Sequence, residues 1–126
     1  LLFATAWIDY KPGGKLSMRR IGLDGTAFGL PTAIADVDAD ALWGRNGKDG
    51  QVVLMQRSSK GALVLRKVRY DSFQAVAKPL GSPIIALPGA SYPVEPALIY
   101  VSDADVWVLA WAGDETSPGI HIRRFR

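Results

Sequence analysis

Cysteine is absent from the 126 residues, which excludes a disulfide framework, a thiolate metal site and a cysteine nucleophile. Histidine occurs once, at His121, so no site that needs two imidazoles can be built within one chain. No stretch approaches the roughly 18 apolar residues of a membrane-spanning helix, and no membrane span is expected. Runs of five like charges are also missing, and 15 Lys and Arg against 12 Asp and Glu leave a net charge of only +3. That excess is too small to imply nucleic-acid binding without a clustered basic face. Ser58, Ser59, Ser91 and Ser117 stand in turn-like sequence without a Gly-x-Ser-x-Gly elbow, and no spacing singles out a pair of carboxylates. The reading therefore leans away from an enzyme, and no cofactor is implied.

Glycine and proline, by contrast, are plentiful at 13 and 8, while good helix-forming runs are scarce. That balance suits many short strands joined by tight turns. With 48% apolar residues the chain can bury a core, and its length fits one domain, residues 1–126. A nearly all-β fold is expected.

The strongest pattern is a repeat. Phe3-Ala4-Thr5-Ala6-Trp7 leads through a turn to Leu16-Ser17-Met18-Arg19-Arg20-Ile21, and Trp107-Val108-Leu109-Ala110-Trp111 leads to Ile120-His121-Ile122-Arg123-Arg124-Phe125. Trp7 precedes Ile21 by fourteen positions, as Trp111 precedes Phe125. A weaker copy runs from Val52-Val53-Leu54-Met55-Gln56 to Leu63-Val64-Leu65-Arg66-Lys67-Val68, with the turn shortened by two. The anchors Ile21, Val68 and Phe125 are 47 and 57 residues apart, close to the roughly 40 to 50 of a four-stranded blade. An Asp follows three places beyond the first two anchors, at Asp24 and Asp71, and a Gly-x-Pro strand follows each, from Gly29 and from Gly81. Short Ala-Leu strands begin at Ala41 and Ala97.

Each full unit thus reads as four strands: an Ala-Leu strand, a Trp strand, a basic strand and a Pro-led strand. Units fall at 1–40, 41–96 and 97–126, with three, four and three strands, ten in all. The longer second unit carries two expected loop insertions, at Ala75-Val76-Ala77-Lys78-Pro79 and around Pro88-Gly89-Ala90-Ser91-Tyr92-Pro93.

A unit of this kind, best seen from Pro96-Ala97-Leu98 through Asp105 and Trp111 to Arg123-Arg124-Phe125, resembles the loosely conserved blades of bacterial exported β-propeller repeat proteins. The resemblance covers essentially the whole chain. It names a fold and no subfamily, since the WD40, kelch and Asp-box signatures are absent. It implies about two and a half blades of an incomplete ring, and ring closure takes at least four blades. Further blades, or another chain, are expected to complete it. The alternative fold is an antiparallel β-sandwich with a duplicated hairpin. The family implies an extracellular or cell-surface setting and a module that presents loops to a glycan or protein partner. Two alternatives are a segment of a propeller-fold hydrolase or lyase and an assembly subunit completing a sheet with another chain.

Trp7 and Trp111 occupy the same place in two units, where Gln56 replaces them in the third. They read either as stacking platforms for a sugar or as wedges between units. The basic pairs Arg19-Arg20, Arg66-Lys67 and Arg123-Arg124 recur at equivalent positions. Successive strand residues face opposite ways, so at most one of each pair can share the buried face with Leu16 and Met18, or with Ile120 and Ile122. Arg20 and Arg124 are candidates for an acidic ligand; a solvated face that discourages edge pairing is the other reading. Asp36, Asp38 and Asp40 alternate as in a calcium loop, but Ala41 and Gly47 stand at that loop's sixth and twelfth positions. They read as a weak cation site or as a solvated turn.

Overall fold

A computed structural model describes residues 2–8, 14–36, 39–71, 76–89 and 96–126. They form an all-β structure of eleven strands and one 3-10 turn, Ser102–Ala104. No helix among them is long and apolar enough to cross a membrane.

The strands make three antiparallel sheets, none of them closed. The first holds β1 (Leu2–Ile8), β2 (Lys15–Gly22) and β3 (Ala27–Asp36) in that order. The second runs β4 (Ala41–Asn46), β5 (Gln51–Arg57), β6 (Leu63–Asp71) and β7 (Val76–Pro79), with β8 (Ile84–Leu87) also on β6. The third has β10 (Val106–Ala112) between β9 (Ala97–Val101) and β11 (Ile120–Phe125). The three hairpins pair in equivalent register: Trp7 with Ser17, Gln56 with Val64, and Trp111 with His121.

One difference from the sequence reading lies in the second unit. Val76–Pro79, expected inside a loop insertion, is strand β7, and the strand count rises to eleven among the described residues. The cause is visible in β3, a single strand whose pairing with β2 jumps from Thr32 opposite Met18 to Phe28 opposite Arg20. Gly29-Leu30-Pro31 bulges there, with Gly29 at φ 64 and its carbonyl accepting from Arg19 Nε at 2.9 Å. In the second unit the same Gly-x-Pro, Gly81-Ser82-Pro83 with Gly81 at φ 74, lies in a wider break that separates β7 from β8. Proline sits without penalty in both breaks, where no ladder hydrogen bond is required of it. The other expected insertion lies outside the described residues from residue 90 onward.

The second sheet buries both faces. Alternation along β5 and β6 sends Val53, Met55, Leu63 and Leu65 into a core shared with Leu98, Trp107, Leu109 and Phe125 of the third sheet. It sends Leu54 and Val68 into a core shared with Leu16 and Met18 of the first. This is why Val52-Val53-Leu54-Met55 is a continuous apolar run where a half-wet strand would alternate. Each such side chain contributes about 1.5–3 kcal/mol by leaving water. Backbone and side-chain hydrogen bonds tie the layers: Ala77 N–H to Thr32 Oγ1 at 3.4 Å, Arg45 Nε to Leu98 O at 3.2 Å, and Arg123 Nη1 to Ala86 O at 2.6 Å.

A second difference concerns the third sheet. Ile120 and Ile122 were expected on a buried face with at most one of the arginines, yet both are exposed, because among the described residues no layer lies against that side of β11. Their equivalents Leu63 and Leu65 are buried because the third sheet covers them.

Gly29→Ala and Gly81→Ala are each expected to lower unfolding free energy by about 1–2 kcal/mol, since a Cβ disfavours positive φ. Equilibrium denaturation of the two variants measures this, and similar losses would show that the two breaks do the same job.

Candidate functional site

Two turns build a cleft at one end of the interface between the second and third sheets. The β4–β5 turn closes with Gly47 N–H to Gln51 O at 2.8 Å and Gln51 N–H to Lys48 O at 3.0 Å. The β9–β10 connection is the 3-10 turn ending on Asp105 in a left-handed conformation, φ 50, with its N–H on Ser102 O. Lys48 Nζ donates to Asp105 Oδ2 at 2.7 Å, and the Tyr100 hydroxyl donates to Asp105 Oδ1 at 2.8 Å. Tyr100 in turn lies against the Trp107 ring, centroids 4.7 Å apart. One carboxylate thus joins two turns and orients an aromatic pair.

The cleft has a volume of about 370 Å³ and is lined by Gln51, Lys67, Ala104, Asp105, Trp107 and Arg126. Its floor is the buried indole of Trp107. A Cβ on Gly47 would stand 2.8 Å from the edge of that indole, so glycine is what lets the turn close over the ring. Electrostatics leave the cleft cationic. Hydrogen bonds from Lys48 and then Tyr100 hold the Asp105 carboxyl below its ordinary value, with nearby Lys67 adding to the effect. The same contact raises Lys48, and partial desolvation followed by the bond to Asp105 raises Tyr100. With Asp105 matched by Lys48, Lys67 and Arg126 remain to meet a negative group.

A smaller cavity of about 160 Å³ lies at the other end, lined by residues that include Leu87, Trp111, Asp114, Ser117 and His121. Trp111 stacks on His121 at 5.4 Å. His121 Nε2 is 2.9 Å from Ser117 O and 3.3 Å from Ser117 Oγ. Asp114 does not orient the imidazole: its Oδ1 accepts from Thr116 N–H, Thr116 Oγ1 and Ser117 N–H, which also hold its carboxyl below the ordinary value. A Ser-His-Asp relay needs the carboxylate on the second imidazole nitrogen. The geometry is that of a tight β10–β11 loop.

The four sequence-derived ligand candidates do not share one face. Trp111 packs toward the second sheet, whereas Arg124 lies with Ile120 and Ile122 on the opposite side of the third sheet. In the first sheet Ala6 and Ile8 pack toward the second, so Trp7 between them points away from it, while Arg20 follows Leu16 and Met18 toward it. Gln56, the residue in Trp's place, is buried and accepts from Arg66 Nε at 2.9 Å. Of the three aspartates, Asp40 accepts from Arg57 Nε at 2.8 Å. Asp36 ends β3, with its side chain not described, and Asp38 lies outside the described residues. Among the described residues no cluster of three or more His, Asp or Glu is placed to hold a metal ion.

The cleft itself was only half visible in the sequence. Lys67 belongs to the recurring basic pairs, but Gln51, Asp105, Trp107 and Arg126 arrive from other segments, and only folding makes them neighbours. No family model matches the chain, and neither a curated protein nor a solved structure is significantly similar to it.

Two outcomes are expected here. Gly47→Ala lowers stability by about 1–3 kcal/mol through overpacking against Trp107, measurable by denaturation. The stabilising tie at Asp105, whose folded value lies below 3.8, is complete above that pH and is lost as pH falls through the lowered value. The melting temperatures of wild type and Asp105→Asn, separated at neutral pH, therefore converge in acid.

Proposed function

We propose that this chain is a non-catalytic binding module of β-propeller-type blades that holds an acidic glycan in the cleft between its second and third sheets. The blade reading is supported by the second sheet's two covered faces. In a sandwich of two sheets each layer keeps one face outside the core. It is also supported by β4 lying against β9, as the inner strands of successive blades do.

The observation that carries the ligand class is the pair of cations, Lys67 and Arg126, lining the cleft. Trp107 is buried and serves as the packed floor, so the polar rim reads the ligand: paired cations suit a carboxylate or sulfate on a sugar. Rigid strands hold Trp107 and Lys67, while turns supply the rim, an arrangement suited to recognition without chemistry.

Calorimetric titration with a uronic-acid oligosaccharide and a neutral oligosaccharide of equal length tests the proposal. The acidic ligand should bind and weaken with added salt, and Lys67→Ala with Arg126→Ala should reduce affinity by about tenfold or more at unchanged melting temperature. Equal binding of the neutral oligosaccharide, or an unaffected double variant, would contradict it.

A further inference from the structure

The two sheet interfaces are one interface used twice. In the ladders, Leu16, Leu63 and Ile120 are equivalent, as are Met18, Leu65 and Ile122. Leu16 and Met18 are 0% and 1% exposed against the second sheet, and Leu63 and Leu65 are 0% and 2% exposed against the third. Ile120 and Ile122, at the same positions in the third sheet, are 74% and 69% exposed.

The complementary face also recurs. The second sheet meets the first with Gln56, Val64, Arg66 and Val68 on one side of β5 and β6. The third meets the second with Trp111, His121, Arg123 and Phe125. In the first sheet those positions are Trp7, Ser17, Arg19 and Ile21, which alternation turns away from the second sheet. The stack therefore ends in an isoleucine face of the kind that is covered twice inside it, and begins with a face of the kind that does the covering.

Ile99 and Val101 of β9 extend the open isoleucine face and are themselves exposed at 59% and 40%. Scattered exposed aliphatics are ordinary, but four gathered on one sheet face mark an interaction surface. The cations at its margin do not forbid packing. Arg124 is equivalent to Lys67 and Arg20, and both internal interfaces form with those charges present.

We propose that a second copy of this chain docks head-to-tail, with the Trp7 and Ile21 face of one copy covering the Ile120 and Ile122 face of the other. Such an interface is heterologous, so it closes into a ring where the rotation permits and otherwise extends as an open polymer. The proposal rests on the blade-like stacking and is independent of the cleft.

Mixing two single-face variants tests it. Ile120→Glu with Ile122→Glu disables one face, and Trp7→Glu with Ile21→Glu disables the other. By sedimentation velocity the wild type should run as a closed oligomer or a polymer, and each variant alone should run as a monomer. The equimolar mixture should give a 1:1 heterodimer and nothing larger. Circular dichroism and melting of the separate variants check that they fold. Should the Trp7/Ile21 variant destabilise the first sheet, Arg19→Glu on the same face replaces it. A wild type that stays monomeric at hundreds of micromolar overturns the proposal. So does a Trp7/Ile21 variant that still dimerises alone, which would show a two-fold contact between isoleucine faces. Binding of the uronic-acid oligosaccharide should be unchanged in both variants, so failure of the ligand reading and failure of the docking reading are told apart.

Discussion

Apolar contact on both sides of the middle sheet, Leu54 and Val68 toward one neighbour and Val53, Met55, Leu63 and Leu65 toward the other, sets how the outer sheets are held. A strand pair with two dry faces has little use for polar alternation, so β5 is apolar from Val52 to Met55 and β6 from Leu63 to Leu65. The outer sheets, each covered on one side, keep polar or half-exposed residues on the other in the first sheet and exposed aliphatics in the third. Stacked sheets pack about 10 Å apart, and at that distance end-of-strand turns from neighbouring layers come within reach of a single side-chain contact. The Lys48–Asp105–Tyr100 group is such a contact, and the cleft is the space it encloses.

The repeat explains why recognition residues appear where they do. A position that packs in one unit is released in another, because its environment depends on which neighbour is present. Lys67 lines the cleft, whereas its equivalent Arg124 edges the open isoleucine face. Gln56 replaces a tryptophan and remains satisfied because Arg66, itself half-buried, donates to it. The same scaffold position thus supplies packing in one layer and polar contact in the next.

Much of this was legible in the sequence and some was not, for physical reasons. The equal hairpin spacing is matched by equivalent ladder pairing, since a strand pair that must bury one face tolerates no one-residue slip. Strand β7 escaped notice because Val76-Ala77-Lys78-Pro79 is too short to show a period and ends in proline. Alternation showed that each basic pair is divided between two faces, but not which face would be covered. That depends on layer order, a property of the stack rather than of any strand. The cleft was hidden for the same reason: Gln51, Lys67, Asp105, Trp107 and Arg126 are brought together only when two layers meet.

Native-state hydrogen exchange tests most directly that the doubly covered middle sheet holds the fold together. Amides of β5 and β6, Val53–Gln56 and Leu63–Val68, should exchange last and only through global unfolding, with β1, β3 and β9 opening at lower free energy. Slowest exchange in an outer sheet, with β5 and β6 opening first, would contradict it.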